Sequence, residues 1–337
     1  MTRQTLDHFR KALSLQQDAL LEVLRQNGSY ATVQIDQAIK RDGLLLLDEV
    51  KETLERIEQG DFGQCAECDG EVETDRLELD FTTCVCLDHY SDAQKRSLEH
   101  DLELASKVQR NLLPAAPPDL AGLQIAAHTQ PARIVGGDYY DFYDCPTGAH
   151  GVVIADVMGK GLAASMIMSN LQASLRILGP EYDTPDALAA RLNELFRHNL
   201  KLIRFISMCV VTLDPEVGLL RYCNAGHNPP LLWEAASGTI HWLRPTGPAL
   251  GLVPAADFST GTAPFTSGDL LLLYTDGLVE ARSTAGEEFG EQRLAMHVEA
   301  HAHREADDFL AHLRDTLDRF AGGASRDDRT ILVIRAA

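Results

Sequence analysis

Ile154-Ala-Asp156-Val-Met-Gly159-Lys-Gly161 is the stretch on which the reading of this chain turns. The apolar residues from Gly151 to Val157 predict a buried strand that breaks at Gly159 and opens onto a helix near Leu162. An aspartate at the end of such a run is costly to bury unless a cation or hydrogen-bond donors satisfy it. Three more aspartates lie in comparable settings: Asp138 in Val135-Gly-Gly-Asp-Tyr-Tyr-Asp141, Asp276 in Leu273-Tyr-Thr-Asp-Gly277, and Asp327 in Ser325-Arg-Asp-Asp-Arg-Thr330. Each sits at a strand edge or turn beside glycine or a second acid. Carboxylate-rich, all-oxygen sets of this kind hold hard divalent cations, and four of them suggest a binuclear site.

Composition sets the frame. With 337 residues, 45% hydrophobic and 24% charged, the chain has the make-up of a globular protein with room for about two domains. No apolar run approaches the ~18 residues of a membrane span, and the N-terminus lacks the charged-then-apolar pattern of a signal peptide. These features lead us to expect a cytoplasmic protein with no membrane partner. The net charge of −20 is shared evenly between residues 1–110 and the remainder. Such acidity disfavours direct binding to nucleic acid or anionic membranes.

Seven cysteines are unevenly spread: Cys65, Cys68, Cys84 and Cys86 cluster, while Cys145, Cys209 and Cys223 are scattered among apolar neighbours. An odd count without a secretory signal argues against a disulfide framework.

Upstream of the cluster, Leu6, Phe9, Leu13, Leu20 and Leu24 follow a helical period over residues 2–26. Gln26-Asn-Gly-Ser29 is a turn signal. A second stripe, Leu47, Val50, Leu54 and Ile57, stops at Gly60. Together they predict an antiparallel helical hairpin. Cys65-Ala-Glu-Cys68 and Cys86-Leu-Asp-His89 then supply a CxxC and a CxxH pair, the spacing of two zinc knuckles. Thiolate and imidazole ligands select zinc, and four filled positions leave none open for catalysis, so one structural Zn2+ is expected. Cys84 is an alternative to Cys86 or His89 as ligand.

The segment from Leu47 to about Tyr90 resembles the DksA/TraR zinc-finger family, on Leu54-Glu-Arg-Ile-Glu-Gln-Gly-Asp-Phe-Gly-Gln-Cys65, the ligand pairs, and Arg76-Leu-Glu78 between them. Family members often carry four cysteines, so His89 is a departure. The resemblance implies RNA-polymerase docking for members with paired aspartates at the hairpin tip. Here the tip, Asn27-Gly-Ser-Tyr-Ala-Thr-Val33, carries no acid. A sensory or docking module is the expectation.

Residues 92–113 predict a further helix in which Leu98, Leu102, Ala105, Gln109 and Leu112 follow a heptad seam, ended by Pro114 and Pro117-Pro118. The seam suggests a homodimer contact. Beyond Leu120 the pattern changes. Strands are expected at Gln124 to Thr129, Gly151 to Asp156, Ile206 to Leu213, Leu219 to Cys223, Leu270 to Thr275 and Thr330 to Arg335. Helices are expected at 160–177, 185–201, Gln292 to Met296 and Glu305 to Phe320. Grouped strands flanking paired helices point to an α+β layered sandwich.

Residues from about 100 to 335 resemble the SpoIIE/RsbU branch of the PPM metal-dependent serine/threonine phosphatases. The matching motifs are Leu112-Leu-Pro114, Val135-Gly-Gly-Asp-Tyr-Tyr-Asp141, Asp156-Val-Met-Gly-Lys-Gly161, Asn224-Ala-Gly-His-Asn-Pro-Pro230, Thr246-Gly-Pro-Ala-Leu-Gly251, Tyr274-Thr-Asp-Gly277 and Asp327-Asp-Arg-Thr330, in the family's order. The resemblance implies an αββα sandwich of two antiparallel sheets with metals in the cleft between them. With the proline stop at 114–118 as the boundary, the expected domains are a hairpin and finger (1–90), a linker helix (91–117) and a phosphatase domain (118–337). Carried over by motif, Asp156 would bridge two Mn2+ or Mg2+ ions with help from the Val157 carbonyl. Asp138 would complete one metal's ligands, and Asp276 and Asp327 would hold the other. Such a pair lowers the pKa of a shared water for in-line attack on a phosphoserine or phosphothreonine.

Neighbouring residues carry weaker expectations. Arg133 is a candidate for binding substrate phosphate. His227 is expected to position its loop, Asp141 and Asp328 to lie behind the ligands or in solvent, and Lys160 to counter charge. The resemblance further implies a STAS-type anti-sigma-factor antagonist as the phosphoprotein, in a partner-switching circuit under control of the N-terminal module. The alternative is a DksA-like polymerase-docking or other interaction protein whose phosphatase domain is secondary or degenerate.

Overall fold

A computed structural model describes residues 35–337 apart from 69, 80, 160, 200–204, 254–255 and 323–326, together with 6, 7, 9–11, 13, 14, 17 and 21. The expected turn at 26–29, the tip at 27–33 and Lys160 lie outside the described residues. The chain divides into two compact units, Met1–Asp101 with Leu200–Ile203, and Leu102–Asn199 with Arg204–Ala337.

In the first unit, helix α1 (Ile35–Gln59) buries Leu47, Val50 and Ile57, spaced to share one face. Phe9, Leu13 and Phe62 join that core, the Phe9 and Phe62 rings meeting edge-on at 5.1 Å. Gly60, at φ +86°, ends the helix in the left-handed region that glycine adopts without strain. A short helix α2 (Thr74–Leu79) and a 3-10 turn (Leu87–His89) follow. Helix α3 (Asp92–Leu112), divided between the units after Asp101, opens with a capping box: the Gln94 backbone N–H donates to Ser91 Oγ at 3.3 Å, and the Ser91 backbone N–H to Gln94 Oε1 at 2.9 Å.

In the second unit the chain forms strands β1 (Leu123–Gln130), β2 (Asp138–Asp144) and β3 (His150–Val157), then helices α4 (Gly161–Leu178) and α5 (Pro185–Asn199). Strands β4 (Ile206–Asp214), β5 (Leu219–Ala225), β6 (Leu231–Glu234), β7 (Thr239–Trp242), β8 (Gly261–Pro264) and β9 (Leu270–Tyr274) come next. The short helix α6 (Asp276–Val279), helices α7 (Gly290–His301) and α8 (Ala306–Ala321), and strand β10 (Arg329–Ala336) complete it. The strands make two antiparallel five-stranded sheets, ordered β1-β10-β9-β6-β7 and β2-β3-β4-β5-β8. Helices α7 and α8 contribute the outer core of the first sheet, and α4 and α5 pack on the second. Among the described residues, no helix is long and apolar enough to cross a membrane.

This layering explains the unbroken Leu270-Leu-Leu-Leu-Tyr274 run. Leu271 and Leu273 face the opposite sheet with Ile154, Val211, Leu332 and Ile334, while Leu270, Leu272 and Tyr274 face α7 and α8. A central strand covered on both faces loses the polar alternation of a half-exposed one. Strands β2, β6, β7 and β8 went unread in the sequence. Three are only four residues long, and β2 is Asp-Tyr-Tyr-Asp-Phe-Tyr-Asp, whose acids mask its strand character. The buried Asp141 in β2 is satisfied by Arg176 of α4, with Nε to Oδ2 at 2.7 Å and Nη2 to Oδ1 at 3.2 Å, and by the Tyr139 hydroxyl at 2.6 Å. Tertiary partners therefore override composition in this strand.

Two-sided burial predicts that Leu272→Ala and Leu273→Ala each lower stability by about 2–5 kcal/mol in urea unfolding. A cost confined to one of the pair would contradict a strand packed on both faces.

Candidate metal centres

The first centre lies where the two sheets meet. Asp138 and Asp156 are cross-strand partners in β2 and β3, so their backbones alone bring them together. Asp138 is buried, and its Oδ2 accepts hydrogen bonds from the Thr275 hydroxyl at 2.8 Å and the Thr330 hydroxyl at 2.7 Å. Both donors belong to the other sheet's strand ends. The Thr330 N–H also donates to Thr275 Oγ1 at 2.9 Å, closing the linkage. Burial, then the charges of Asp156 and Asp328, pushes the Asp138 carboxyl well above its usual range, against the two hydroxyl donors. A crowded carboxylate set of this kind calls for positive charge, and the donor chemistry fits hard divalent ions.

Asp276 opens α6, and Asp327 precedes β10. Their carboxylate oxygens and one from Glu280 all lie within 4.8 Å of one another. Glu280 was not singled out in the sequence; its signal is the i, i+4 spacing from Asp276 across a helical turn. Asp328 is buried, and its carboxylate accepts the Ala132 N–H at 2.7 Å and the Gly137 N–H at 2.6 Å. It fastens the loop between β1 and β2 to the segment entering β10. A Cβ on Gly136 would lie 2.3 Å from Asp328 Oδ2, and one on Gly137 would lie 2.8 Å from the Val157 carbonyl oxygen. Only glycine permits this approach, which explains the Gly-Gly pair.

Arg133 lies in that same loop, half-buried, directly after Ala132. His227 is buried: its Nδ1 pairs with Ser207 Oγ at 2.8 Å, and its backbone N–H donates to Asn224 Oδ1 at 2.8 Å. Burial holds its pKa down at about 4, so the ring is neutral near pH 7. Ser207 is the β4 partner of Asp156, so this loop braces the strand beside the one that carries Asp156. From the expected dimer seam, Gln109 is buried instead, its amide N–H donating to the Gly136 carbonyl at 2.6 Å while Oε1 accepts the Gly136 N–H at 3.1 Å.

The second centre is in the first unit. One ligand atom each of Cys65, Cys68, Cys86 and His89 lies within 4.8 Å of the others; Cys84 is exposed and falls outside this set. The Cys86 N–H donates to Cys65 Sγ at 3.3 Å, and that bond leads in lowering the Cys65 pKa to about 6. Arg76 supports the second knuckle through the Val85 carbonyl at 2.6 Å and the Tyr90 hydroxyl at 2.9 Å, its guanidinium 5.0 Å from the Tyr90 ring centroid.

Comparison with known proteins matches residues 146–337 to the family Stage II sporulation protein E (SpoIIE). Protein IcfG of Synechocystis sp. is 30% identical over 261 residues, 69% of this chain, which spans only 41% of IcfG. Phosphoserine phosphatase RsbU of Bacillus subtilis is 28% identical over 242 residues, 72% of this chain and 71% of RsbU. Among solved structures, the SiaA-PP2C domain of Pseudomonas aeruginosa superposes with a TM-score of 0.64 at 23% identity, covering 73% of this chain and 99% of that domain. The RsbU and RsbW domains of Rv1364c from Mycobacterium tuberculosis give 0.58 at 28% identity, covering 66% of this chain and 62% of that one.

A Cβ on Gly277 would lie 2.0 Å from the Asp328 carbonyl oxygen. Gly277→Ala is therefore expected to cost about 1–3 kcal/mol or more in urea unfolding, as one backbone segment gives way. An unchanged midpoint would mean that α6 and the Asp327-Asp328 segment are not held at this spacing.

Proposed function

The chain belongs to the SpoIIE family, and from that premise we propose that it is a metal-dependent phosphoprotein phosphatase acting on phosphoserine or phosphothreonine. The observation that supports the reading is a pair of carboxylates in each sheet, Asp138 and Asp156 across β2 and β3, and Asp276 and Asp327 at the ends of the other, with the Asp138 carboxylate tied to that second sheet through Thr275 and Thr330. Asp138, Asp156 and the Val157 carbonyl would hold Mn2+ or Mg2+ on one side, and Asp276 and Asp327, with Glu280 beside them, on the other. When bound, the ions supply positive charge against phosphate and activate water for attack on phosphorus.

The chain's own residues do the rest. Thr275 and Thr330 fix the Asp138 carboxylate. Asp328 holds the loop that presents Asp138 and Arg133, and Arg133 is the side chain of that loop suited to a phosphate oxygen. Neutral His227 keeps the strand behind Asp156 in place. The proposed substrate is a phosphorylated STAS-type anti-sigma-factor antagonist, a reading supported by the relatives named phosphoserine phosphatase RsbU and RsbP. The proposed regulator is the N-terminal module, with Cys65, Cys68, Cys86 and His89 holding one structural Zn2+ and α3 offering a dimer contact.

Phosphate release from a phosphoserine-bearing STAS protein should require Mn2+ or Mg2+ and fall by about 10²-fold or more in Asp156→Asn. Metal-independent release, or an unaffected Asp156→Asn variant, would sink the phosphatase assignment. Separately, a zinc chelator should expose residues 60–90 to protease, because knuckle folding and metal binding are one equilibrium. Unchanged protection of that segment would remove the zinc.

A further inference from the structure

Helices α7 and α8 carry a cluster that none of the chemistry above uses. His297 and His301 stand one turn apart on α7, and His312 faces them from α8. The ring centroids are 4.7 Å apart for His297 and His301, 5.1 Å for His297 and His312, and 4.0 Å for His301 and His312. One ring nitrogen from each lies within 4.8 Å of the other two. His297 is only 7% exposed and rests edge-on against Phe309 at 5.5 Å. Two buried nitrogens, His297 Nε2 and His312 Nδ1, have no hydrogen-bond partner. Buried imidazole nitrogens normally find one, and three rings that crowd without bonding each other leave lone pairs to be satisfied.

We propose that His297, His301 and His312 form a separate transition-metal site that staples α7 to α8 when it binds Zn2+ or a chemically similar ion. Three imidazoles suit Zn2+, Ni2+ or Cu2+ and discriminate against the Mn2+ and Mg2+ favoured by carboxylates. Ligand bonds of about 2.0–2.1 Å require nitrogens about 3.4 Å apart, so rotamer adjustments of roughly an ångström close the site. Three protein ligands leave a fourth position for water or an exogenous ligand.

Two of the three rings favour the neutral state. Burial first, then the charges of His301, His312 and Arg304, hold the His297 pKa at about 4, and burial, His312, Arg304 and His303 lower that of His301. Neutral imidazoles bind metal without first losing a proton. The Arg304 guanidinium opposes a bound cation as it opposes protonation. The affinity is therefore expected to fall below that of a three-histidine site without a neighbouring cation.

The test is zinc stoichiometry of the full-length chain after equilibrium dialysis, in wild type, His301→Ala and His312→Gln. The finger residues and cleft aspartates stay unchanged in all three. Wild type should hold one zinc per chain more than either variant, and added Zn2+ should raise its melting temperature more. The Co2+-loaded proteins should differ by a visible spectrum lacking thiolate charge-transfer bands. His301 is half-buried at the end of α7, so its variant keeps the fold, verified by circular dichroism without metal, and decides the matter if His312→Gln does not fold. Equal stoichiometry and equal zinc-induced shifts in wild type and His301→Ala would overturn the proposal and leave the triad as packing.

Discussion

The structure depends on keeping several like charges together where the two buried acids, Asp138 and Asp328, lie behind partly exposed ones. Two carboxylates about 4 Å apart repel by roughly 4 kcal/mol at an effective dielectric near 20. A hydrogen bond to a charged group returns about 1.5–3 kcal/mol. Thr275 and Thr330 donate to Asp138, and the amides of Ala132 and Gly137 donate to Asp328. These bonds fix the acids in place and offset part of the repulsion, while burial and the neighbouring charges still hold the Asp138 carboxyl well above its usual range. The threonine bonds also join the sheets: Asp138 starts a strand of one, while Thr275 follows β9 and Thr330 lies near the start of β10 in the other. Distorting the cleft and parting the sheets are thus the same event.

The sequence carried much of this because the cleft forces unusual residues into short runs. Gly136 and Gly137 are dictated by the approach of Asp328 and the Val157 carbonyl, and Gly277 by the Asp328 backbone. A reader sees glycine beside aspartate and can infer close quarters. The partners were less legible. Asp328, expected behind the ligands or in solvent, is buried and ties two segments nearly 200 positions apart, a pairing that no local pattern reveals. Glu280 becomes a neighbour of Asp327 only once α6 meets the segment before β10. The histidines failed to register for another reason. Two lie at helical spacing on α7, but the third sits on the next helix, and a lone histidine on a helix reads as core or surface.

The candidate centres sort by donor chemistry. The cleft offers oxygen alone, the finger three sulphurs and one imidazole, and the α7–α8 pair three imidazoles. Hard ions that keep water and exchange readily suit the first, whereas the thiolate-containing set closes around zinc. Were both proposed centres loaded, ligand type together with scarcity of the softer ion would favour zinc at the cysteines and manganese or magnesium at the carboxylates.

Gln109 shows how helix α3 bears on this. It occupies a seam position by spacing, yet its amide gives one hydrogen bond to Gly136 and takes another from it. A buried amide satisfied on both sides is expensive to withdraw, since helix and loop would each be left with unpaired groups. Gly136 stands two residues before Asp138 and against the Asp328 carboxylate. Sliding or rotating α3 by one position would exchange Gln109 for Val108 or Arg110, neither of which can reproduce the paired bonds. The register of the C-terminal turns of α3 and the placement of Asp138 are consequently one constraint, set by a single side chain.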